Sequence, residues 1–201
     1  MTRFTAASAA AVAGVVALVA CRGAEPMPAA TMPLRFDREY VTVEPSQGRT
    51  RVVGLYYFRN ESDEPLVTAI RYPFPVDRHH VMPFRIRVWA QKGEALEPLG
   101  FVHTDSSVSW RMSFGPGEEK IVRVEYVQEI KKNHAIYIVT TTKEWGKPIR
   151  LAEFEFRVPA HLEDVQLSFT PDRAEVSGDT VIYYLRAIDF LPDADLTLTW
   201  R

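Results

Sequence analysis

Apolar and polar residues alternate in short segments along most of this chain, and prolines, glycines, asparagines and aspartates separate the segments. In one segment Phe84, Ile86 and Val88 fall on one face and two arginines fall on the other, and residues 154–158 repeat the scheme. A period of two residues predicts β-strands. Each of these strands is expected to have one face in the core and one face in water.

One-sided burial is typical of antiparallel sheets, whereas parallel sheets covered by helices have continuous apolar strands. No segment has a helical period, so two sheets must cover each other. We therefore predict an all-β fold, a mostly antiparallel β-sandwich, with a closed β-barrel as the alternative. A third alternating segment, residues 120–129, has Val122, Val124 and Tyr126 on its apolar face. Further predicted strands lie at residues 41–43, 50–59, 66–72, 95–103, 107–113, 135–141, 165–169, 181–185 and 196–200.

Turn sequences interrupt the strand pattern where a reversal is needed. Examples are residues 60–65, the Gly115-Pro-Gly117 segment and residues 177–179. Glycine, proline, asparagine and aspartate supply the backbone freedom or the local hydrogen bonds that turns require. We expect residues 34–201 to form a single β-sandwich domain.

The first residues have the composition of an export signal. Arg3 precedes an uncharged run at residues 4–20, which is short for a membrane span of about 20 large apolar residues. The tetrapeptide Leu18-Val19-Ala20-Cys21 resembles the lipobox of bacterial lipoproteins, in which the cysteine carries the lipid. We expect residues 1–20 to be a signal peptide. An ordinary secretory signal or an uncleaved anchor are the alternatives.

Cys21 is the single cysteine of the chain, and an unpaired thiol is unusual in an exported protein. Lipidation at Cys21 would account for it and would anchor the protein to a membrane of the bacterial cell envelope. Arg22 follows it, and by resemblance to sorting signals the absence of aspartate there favours the outer membrane in a Gram-negative cell. Residues 21–33 contain three prolines and form the predicted lipidated tether, with a reach of roughly 30 Å.

The composition of the whole chain is that of a globular protein, with 46% hydrophobic residues, 25% charged residues and a formal charge of −2. The interspersed charges form no basic stripe, which argues against nucleic acid as a partner. The sequence has no nucleophile motif, cofactor motif or chelating histidine pair. We therefore assign no catalytic residue, metal ligand or cofactor. The adjacent His79 and His80 are expected on the surface.

Three segments resemble secreted bacterial β-sandwich domains of uncharacterised function and, more distantly, the vault domain of inter-alpha-trypsin inhibitor heavy chains. They are Phe58-Arg-Asn60 with Pro65-Leu66 and Tyr72-Pro-Phe-Pro75; Gly115-Pro-Gly-Glu118 before residues 122–126; and Pro192-Asp-Ala-Asp195 before the last strand. The resemblance implies a sandwich fold. It carries over no catalytic residue.

Two tryptophans are in phase with inward positions, Trp110 and Trp200, and are predicted to lie in the core. The candidates for contact with a partner are Arg85, Arg87, Trp89 and Trp145, because tryptophan and arginine are enriched among interface anchors.

We expect a lipid-anchored, non-enzymatic envelope protein that binds another protein as an accessory or scaffold module. A carbohydrate-binding module for peptidoglycan or a surface glycan is the alternative, because tryptophan also stacks on sugar rings. A third hypothesis is a glycoside hydrolase-like enzyme that uses paired carboxylates. Its candidate pairs are Glu118 with Glu119, Glu163 with Asp164, and Asp193 with Asp195.

Overall fold

The computed structural model of the protein describes residues 33–201, which form fourteen strands and one short 3-10 helix. The predicted signal peptide, Cys21 and the tether up to residue 32 lie outside the described residues. The strands are β1 (Leu34–Ser46), β2 (Arg49–Asn60), β3 (Leu66–Pro73), β4 (Phe84–Lys92), β5 (Ala95–Pro98), β6 (Val102–His103), β7 (Ser107–Phe114), β8 (Glu119–Glu129), β9 (His134–Tyr137), β10 (Ile149–Pro159), β11 (Gln166–Leu167), β12 (Arg173–Ser177), β13 (Thr180–Phe190) and β14 (Leu196–Thr199), and the 3-10 helix is Thr140–Trp145.

The strands form one large sheet and two small ones. The large sheet has the order β12-β13-β10-β1-β2-β8-β4-β5, and the small sheets have the orders β11-β14-β9 and β3-β7-β6. Among the paired strands of residues 33–201, only β1 and β10 run parallel. The prediction of an all-β, mostly antiparallel sandwich is confirmed, and these sheets do not close into a barrel.

The core lies between the inner face of the large sheet and the two small sheets. The large sheet contributes Val122, Val124 and Phe154, all at most 1% exposed, and the small sheets contribute residues such as Leu198 and Trp110. The predicted core positions of Trp110 and Trp200 are confirmed, since both are buried. Within residues 33–201 no helix is long and apolar enough to cross a membrane.

The prediction that Phe84 lies on the same face as Val88 in β4 is wrong. Phe84 pairs with Val127 and Arg87 pairs with Glu125, so the strand gains one residue at a β-bulge in which Arg85 has φ +54°. A bulge reverses the alternation on its two sides. Phe84 therefore lies on the face away from the core and is 38% exposed, while Val88 points into the core.

The buried Asn60 ties two turns together at one end of the sandwich. Its side-chain amide donates to the carbonyl oxygens of Glu64 (2.7 Å) and Gly115 (2.9 Å). Its side-chain oxygen accepts hydrogen bonds from the backbone N–H (3.1 Å) and the hydroxyl (2.7 Å) of Ser62. Every polar atom of this side chain is paired, as burial requires. The β2–β3 connection and the β7–β8 turn are thus held by one residue.

The strand predicted at residues 135–141 ends earlier, at Tyr137. Asp195 accepts hydrogen bonds from the backbone N–H groups of Val139 and Thr140, both at 3.0 Å, and from the Thr140 hydroxyl at 2.8 Å. These bonds draw the chain out of the sheet and into the 3-10 helix. Gly146, with φ +69°, ends that helix in the left-handed conformation that glycine adopts without strain.

The expectation that His79 and His80 both lie on the surface is wrong for His80, which is 1% exposed. Its Nδ1 lies 2.9 Å from Asp77 Oδ1 and its Nε2 lies 2.9 Å from the carbonyl oxygen of His134. The paired nitrogens allow the imidazole to be buried. Asp77 also accepts hydrogen bonds from the backbone N–H groups of His79 and His80, so the loop folds around this carboxylate.

Candidate functional site

The large sheet has an outer face, defined here as the face directed away from the two small sheets. On most sandwich strands this face is polar. Here the central strand β2 places Val53, Leu55 and Tyr57 on it, all half-buried. Together with the inward residues they form the continuous apolar run at residues 52–58, a pattern typical of strands that are covered on both faces.

Cross-strand pairing arranges the outer face in two rows. Residues opposite each other in neighbouring strands lie on the same face, so the pairing registers define the rows directly. The first row is Trp89, Arg123, Leu55, Tyr40, Glu153 and Arg186. The second row is Arg87, Glu125, Val53, Thr42, Glu155, Tyr184 and Arg173.

A groove with a volume of about 670 Å³ runs over these rows from β12 to β8. Its floor includes Tyr40, Val53 and Leu55, and its walls include charged residues such as Arg123 and Glu153. A volume of this size lies within the range of ligand sites in proteins. An apolar floor with polar walls is suited to binding.

The charges beside the groove are paired with one another. Arg186 Nε donates to Glu153 Oε1 at 3.0 Å. The guanidinium of Arg173 lies 3.9 Å from the ring centroid of Tyr184, whose hydroxyl donates to Glu175 at 2.5 Å. Each of these charged side chains therefore has a partner beside the groove. The binding surface consists of aromatic and aliphatic side chains between them.

Three of the four sequence-predicted contact residues lie on this face. Trp89 is the first residue of the first row, next to Arg123, and Arg87 is the first residue of the second row, next to Glu125. The exposed Arg85 lines a neighbouring depression at the β4 bulge. Trp145 lies elsewhere. Its ring packs on the inner side of the large sheet.

Trp145 is half-buried against two phenylalanines at the end of the 3-10 helix. The ring centroids are 5.8 Å from Phe36 and 5.5 Å from Phe58. The four candidates therefore do not form one surface.

A second cluster of chemically distinctive residues lies inside the sandwich. Glu39 points from β1 into the core and is 2% exposed. The Tyr137 hydroxyl donates to Glu39 Oε2 at 3.2 Å, and Tyr56 Oη lies 2.9 Å from Tyr137 Oη and 2.8 Å from Tyr72 Oη. Each hydroxyl has one hydrogen. The chain of donors therefore runs from Tyr72 through Tyr56 and Tyr137 to Glu39, and it connects all three sheets.

Burial controls the ionisation of this cluster. Desolvation raises the pKa of Glu39 to about 8, although the Tyr137 hydrogen bond acts in the opposite direction. Desolvation likewise raises the pKa of Tyr137 and Tyr72 well above the ordinary tyrosine value. At neutral pH the cluster is uncharged.

Gly54 gives the cluster its space. An added Cβ at this position would lie 2.0 Å from Tyr56 Oη. The Tyr56 side chain therefore lies across the glycine on its own strand, and any larger residue would displace the hydroxyl that links Tyr72 to Tyr137.

The predicted carboxylate pairs have structural contacts. Glu118 accepts a hydrogen bond from the backbone N–H of Gly115, Glu119 pairs with Arg38 at 2.7 Å, and Asp195 holds the start of the 3-10 helix. Within residues 33–201, no three histidine, cysteine or acidic side chains are grouped as metal ligands would be.

Two functional features escaped the sequence analysis. The groove had a sequence signal, because the uninterrupted apolar run of β2 is unlike the alternating strands around it. Glu39 had none, since it occurs among alternating charged residues and its partner Tyr137 lies 98 positions away.

Comparison with family models gave no match, and comparison with curated proteins gave none either. Solved structures do match. A candidate nutrient-binding protein of Legionella pneumophila is similar with a TM-score of 0.65 and 13% identity, over 86% of this chain and 68% of that chain.

An M1 zinc metallopeptidase of Deinococcus radiodurans is similar with a TM-score of 0.52 and 13% identity, over 84% of this chain and 42% of that chain. A two-domain M1 zinc metallopeptidase bound to L-tryptophan gives the same TM-score at 14% identity, over 84% of this chain and 43% of that chain. The present chain thus spans less than half of either metallopeptidase. At these identities the similarity concerns the fold alone.

Proposed function

We propose that residues 34–201 are the binding domain of a non-enzymatic, lipid-anchored envelope protein, and that the outer face of the large sheet binds another protein. One observation carries this proposal. Strand β2, at the centre of the sheet, directs Val53, Leu55 and Tyr57 away from the core, where a strand facing water would have polar residues.

The composition of the two rows supports a protein partner. The first row spans six strands and the second spans seven, and in both rows arginines and glutamates flank the residues of the central strands. This combines an apolar centre with polar surroundings, as protein interfaces do. Trp89 at the end of the first row adds a residue type enriched among interface anchors.

A photo-crosslinking experiment in intact cells tests the proposal. A photoreactive phenylalanine analogue in place of Leu55 is expected to capture a discrete protein, because it would lie at the centre of the contact. The same analogue in place of Val67, which is 67% exposed on β3, is the matched control and should not capture that protein. Equal capture from both positions, or none from Leu55, would refute the assignment.

A charge substitution measures the affinity of the captured partner. Leu55→Asp is expected to weaken binding at least tenfold, since it places a charged carboxylate at the centre of an apolar contact. Val67→Asp should leave binding unchanged. Titration of the purified partner by calorimetry gives both values, and equal affinities for the two variants would contradict the proposed surface.

Glycan binding is the second candidate function. The observation in its favour is the groove of about 670 Å³, with Tyr40 and Tyr184 among its lining residues. Sedimentation with purified cell wall separates the two functions. Loss of sedimentation in Tyr40→Ala, without any captured protein, would favour the glycan.

The hydrolase hypothesis finds less support in the groove. Its carboxylates are engaged by arginines or backbone groups: Glu153 by Arg186, and Asp172 by the backbone N–H of Arg186 at 2.6 Å. A glycosidase needs one carboxylic acid free to give up a proton and one carboxylate free to act as base or nucleophile.

The anchor is a separate part of the proposal. Wild-type protein is expected in the detergent phase after phase partitioning, because several acyl chains on Cys21 would hold it in a membrane. Cys21→Ser should move to the aqueous phase or keep its unprocessed signal. A processed Cys21→Ser protein that remained in the detergent phase would exclude lipidation at this residue.

A further inference from the structure

A small cavity lies next to Glu39, between the large sheet and the 3-10 helix. Its volume is about 50 Å³, and a water molecule needs roughly 10–15 Å³ of such space. Aromatic rings form much of its wall, including Phe36, Phe58 and Trp145. The cavity is thus large enough for a small chemical group and is mostly apolar.

Two side-chain polar atoms of residues that line this cavity have no hydrogen-bond partner among residues 33–201. They are Glu39 Oε1 and Trp110 Nε1, and both atoms are buried. Buried polar groups in proteins are nearly always paired, because an unpaired one destabilises the folded state. Both residues line the same cavity, so a single occupant that reaches both atoms would satisfy both.

The cavity adjoins the surface. A depression of about 210 Å³ beside the 3-10 helix is lined by Arg71, Pro73, Thr141 and Trp145, which also line the inner cavity. These four residues therefore lie between solvent and Glu39. The cavity and the depression are thus separated by a single layer of side chains, which includes the Trp145 ring.

We propose that the cavity beside Glu39 and Trp110 is a binding site for an uncharged ligand whose hydroxyl or carbonyl oxygen ends a short apolar stem. The oxygen accepts a hydrogen bond from the Trp110 indole N–H and pairs with the Glu39 carboxyl group. The stem lies between the aromatic rings and leads toward the surface depression. This site is distinct from the outer face and is independent of the protein partner proposed for it.

The chemistry of the two polar atoms selects the ligand. An indole N–H donates only, so a cationic ammonium group, which also only donates, cannot pair with Trp110. An anion would lie next to a carboxyl group in a site of low polarity. Burial of Glu39, which keeps its carboxyl protonated at neutral pH, further favours a neutral ligand. At roughly 10–15 Å³ for each water-sized group, the volume of about 50 Å³ admits about three to five such groups, which suits an oxygen on a short stem.

An NMR titration of the protein purified after expression of the full chain tests the site. The probes are propan-1-ol and butanone, with 1-chloropropane as the analogue without oxygen and propylammonium as the charged analogue. We expect the Trp110 indole N–H signal, identified by its loss in Trp110→Phe, to shift saturably with an oxygen compound below about 100 mM, a range suited to a ligand of so few atoms. Saturable binding of propan-1-ol but not of butanone would identify the oxygen group of the ligand as a hydroxyl. The reverse result would identify it as a carbonyl.

Variants provide the comparison within the protein. Trp110→Phe should weaken binding of the oxygen probe about tenfold, the equivalent of one hydrogen bond, as followed on the methyl signals of the wall. Trp200→Phe, which replaces a buried tryptophan outside this cavity, should leave the dissociation constant unchanged.

Several results would overturn the proposal. They are the absence of saturation with both oxygen probes, equal binding of 1-chloropropane, binding of propylammonium, or unchanged affinity in Trp110→Phe. A crystal grown in propan-1-ol that held only ordered water in the cavity would also overturn it. If Trp110→Phe fails to fold, the comparison of propan-1-ol with 1-chloropropane on the wild-type protein still decides.

Discussion

Glu39→Gln is expected to make the stability of the protein less dependent on pH. Between about pH 5 and pH 9 the wild-type protein should lose free energy of unfolding on the order of 4 kcal/mol, and the variant should not show this loss. The native protein keeps the Glu39 proton up to a pKa of about 8, whereas an unfolded glutamate releases it near 4.5. Between these values the native state binds more protons than the unfolded chain. The stabilising contribution of the group is therefore complete below about pH 4.5 and is lost as the pH rises past 8.

Glutamine reproduces the neutral form of this side chain. Its amide oxygen accepts the hydrogen bond from Tyr137, and it cannot ionise. Urea unfolding of both proteins at intervals of pH gives the difference in free energy of unfolding, from which the histidine contributions cancel. The exposed Glu97 supplies the control, because Glu97→Gln should leave the pH profile unchanged. A constant difference between wild type and Glu39→Gln across this range would contradict the prediction.

Asn60→Ala is expected to destabilise the protein by about 3 kcal/mol. The substitution removes four hydrogen bonds and leaves the carbonyl groups of Glu64 and Gly115 without this donor. Because the two turns that Asn60 joins both connect the large sheet with the small sheet β3-β7-β6, the loss should also increase amide hydrogen exchange in both turns.

The control for this effect is Asn133→Ala, an exposed asparagine in the turn before β9. It should change the free energy of unfolding by less than about 0.5 kcal/mol. Urea unfolding measures both variants. An Asn60→Ala protein as stable as Asn133→Ala would mean that the buried asparagine is not the link between the turns.

Much of the fold follows from alternation alone. The inward residues of β8 and β10 are those of the predicted pattern. Consecutive side chains of a strand point to opposite faces, so every second residue is buried when a sheet is covered on one side. The pattern fails at Phe84, where a bulge inserts one residue. Since a bulge depends on how the partner strand β8 is paired, a single strand contains too little information to predict it.

The candidate sites were harder to predict. A continuous apolar strand was present in the sequence at residues 52–58, but a covered face and a face that awaits a partner give the same pattern. Glu39 was hidden for another reason. A charged residue in an alternating segment is usually solvated, and its burial depends on Tyr56, Tyr72 and Tyr137, which three separate strands bring together.

The parallel pair of β1 and β10 has a kinetic consequence. Asp37 and Arg150, which form two hydrogen bonds next to this pair, are 113 positions apart in the chain. Strand pairs that close such long loops form late, because chain entropy must be lost before any contact compensates for it. The edge of β1 that pairs with β10 therefore stays unpaired until most of the chain has been synthesised. Folding of this domain is expected to be slow, and that open edge is where a growing chain is most exposed to aggregation.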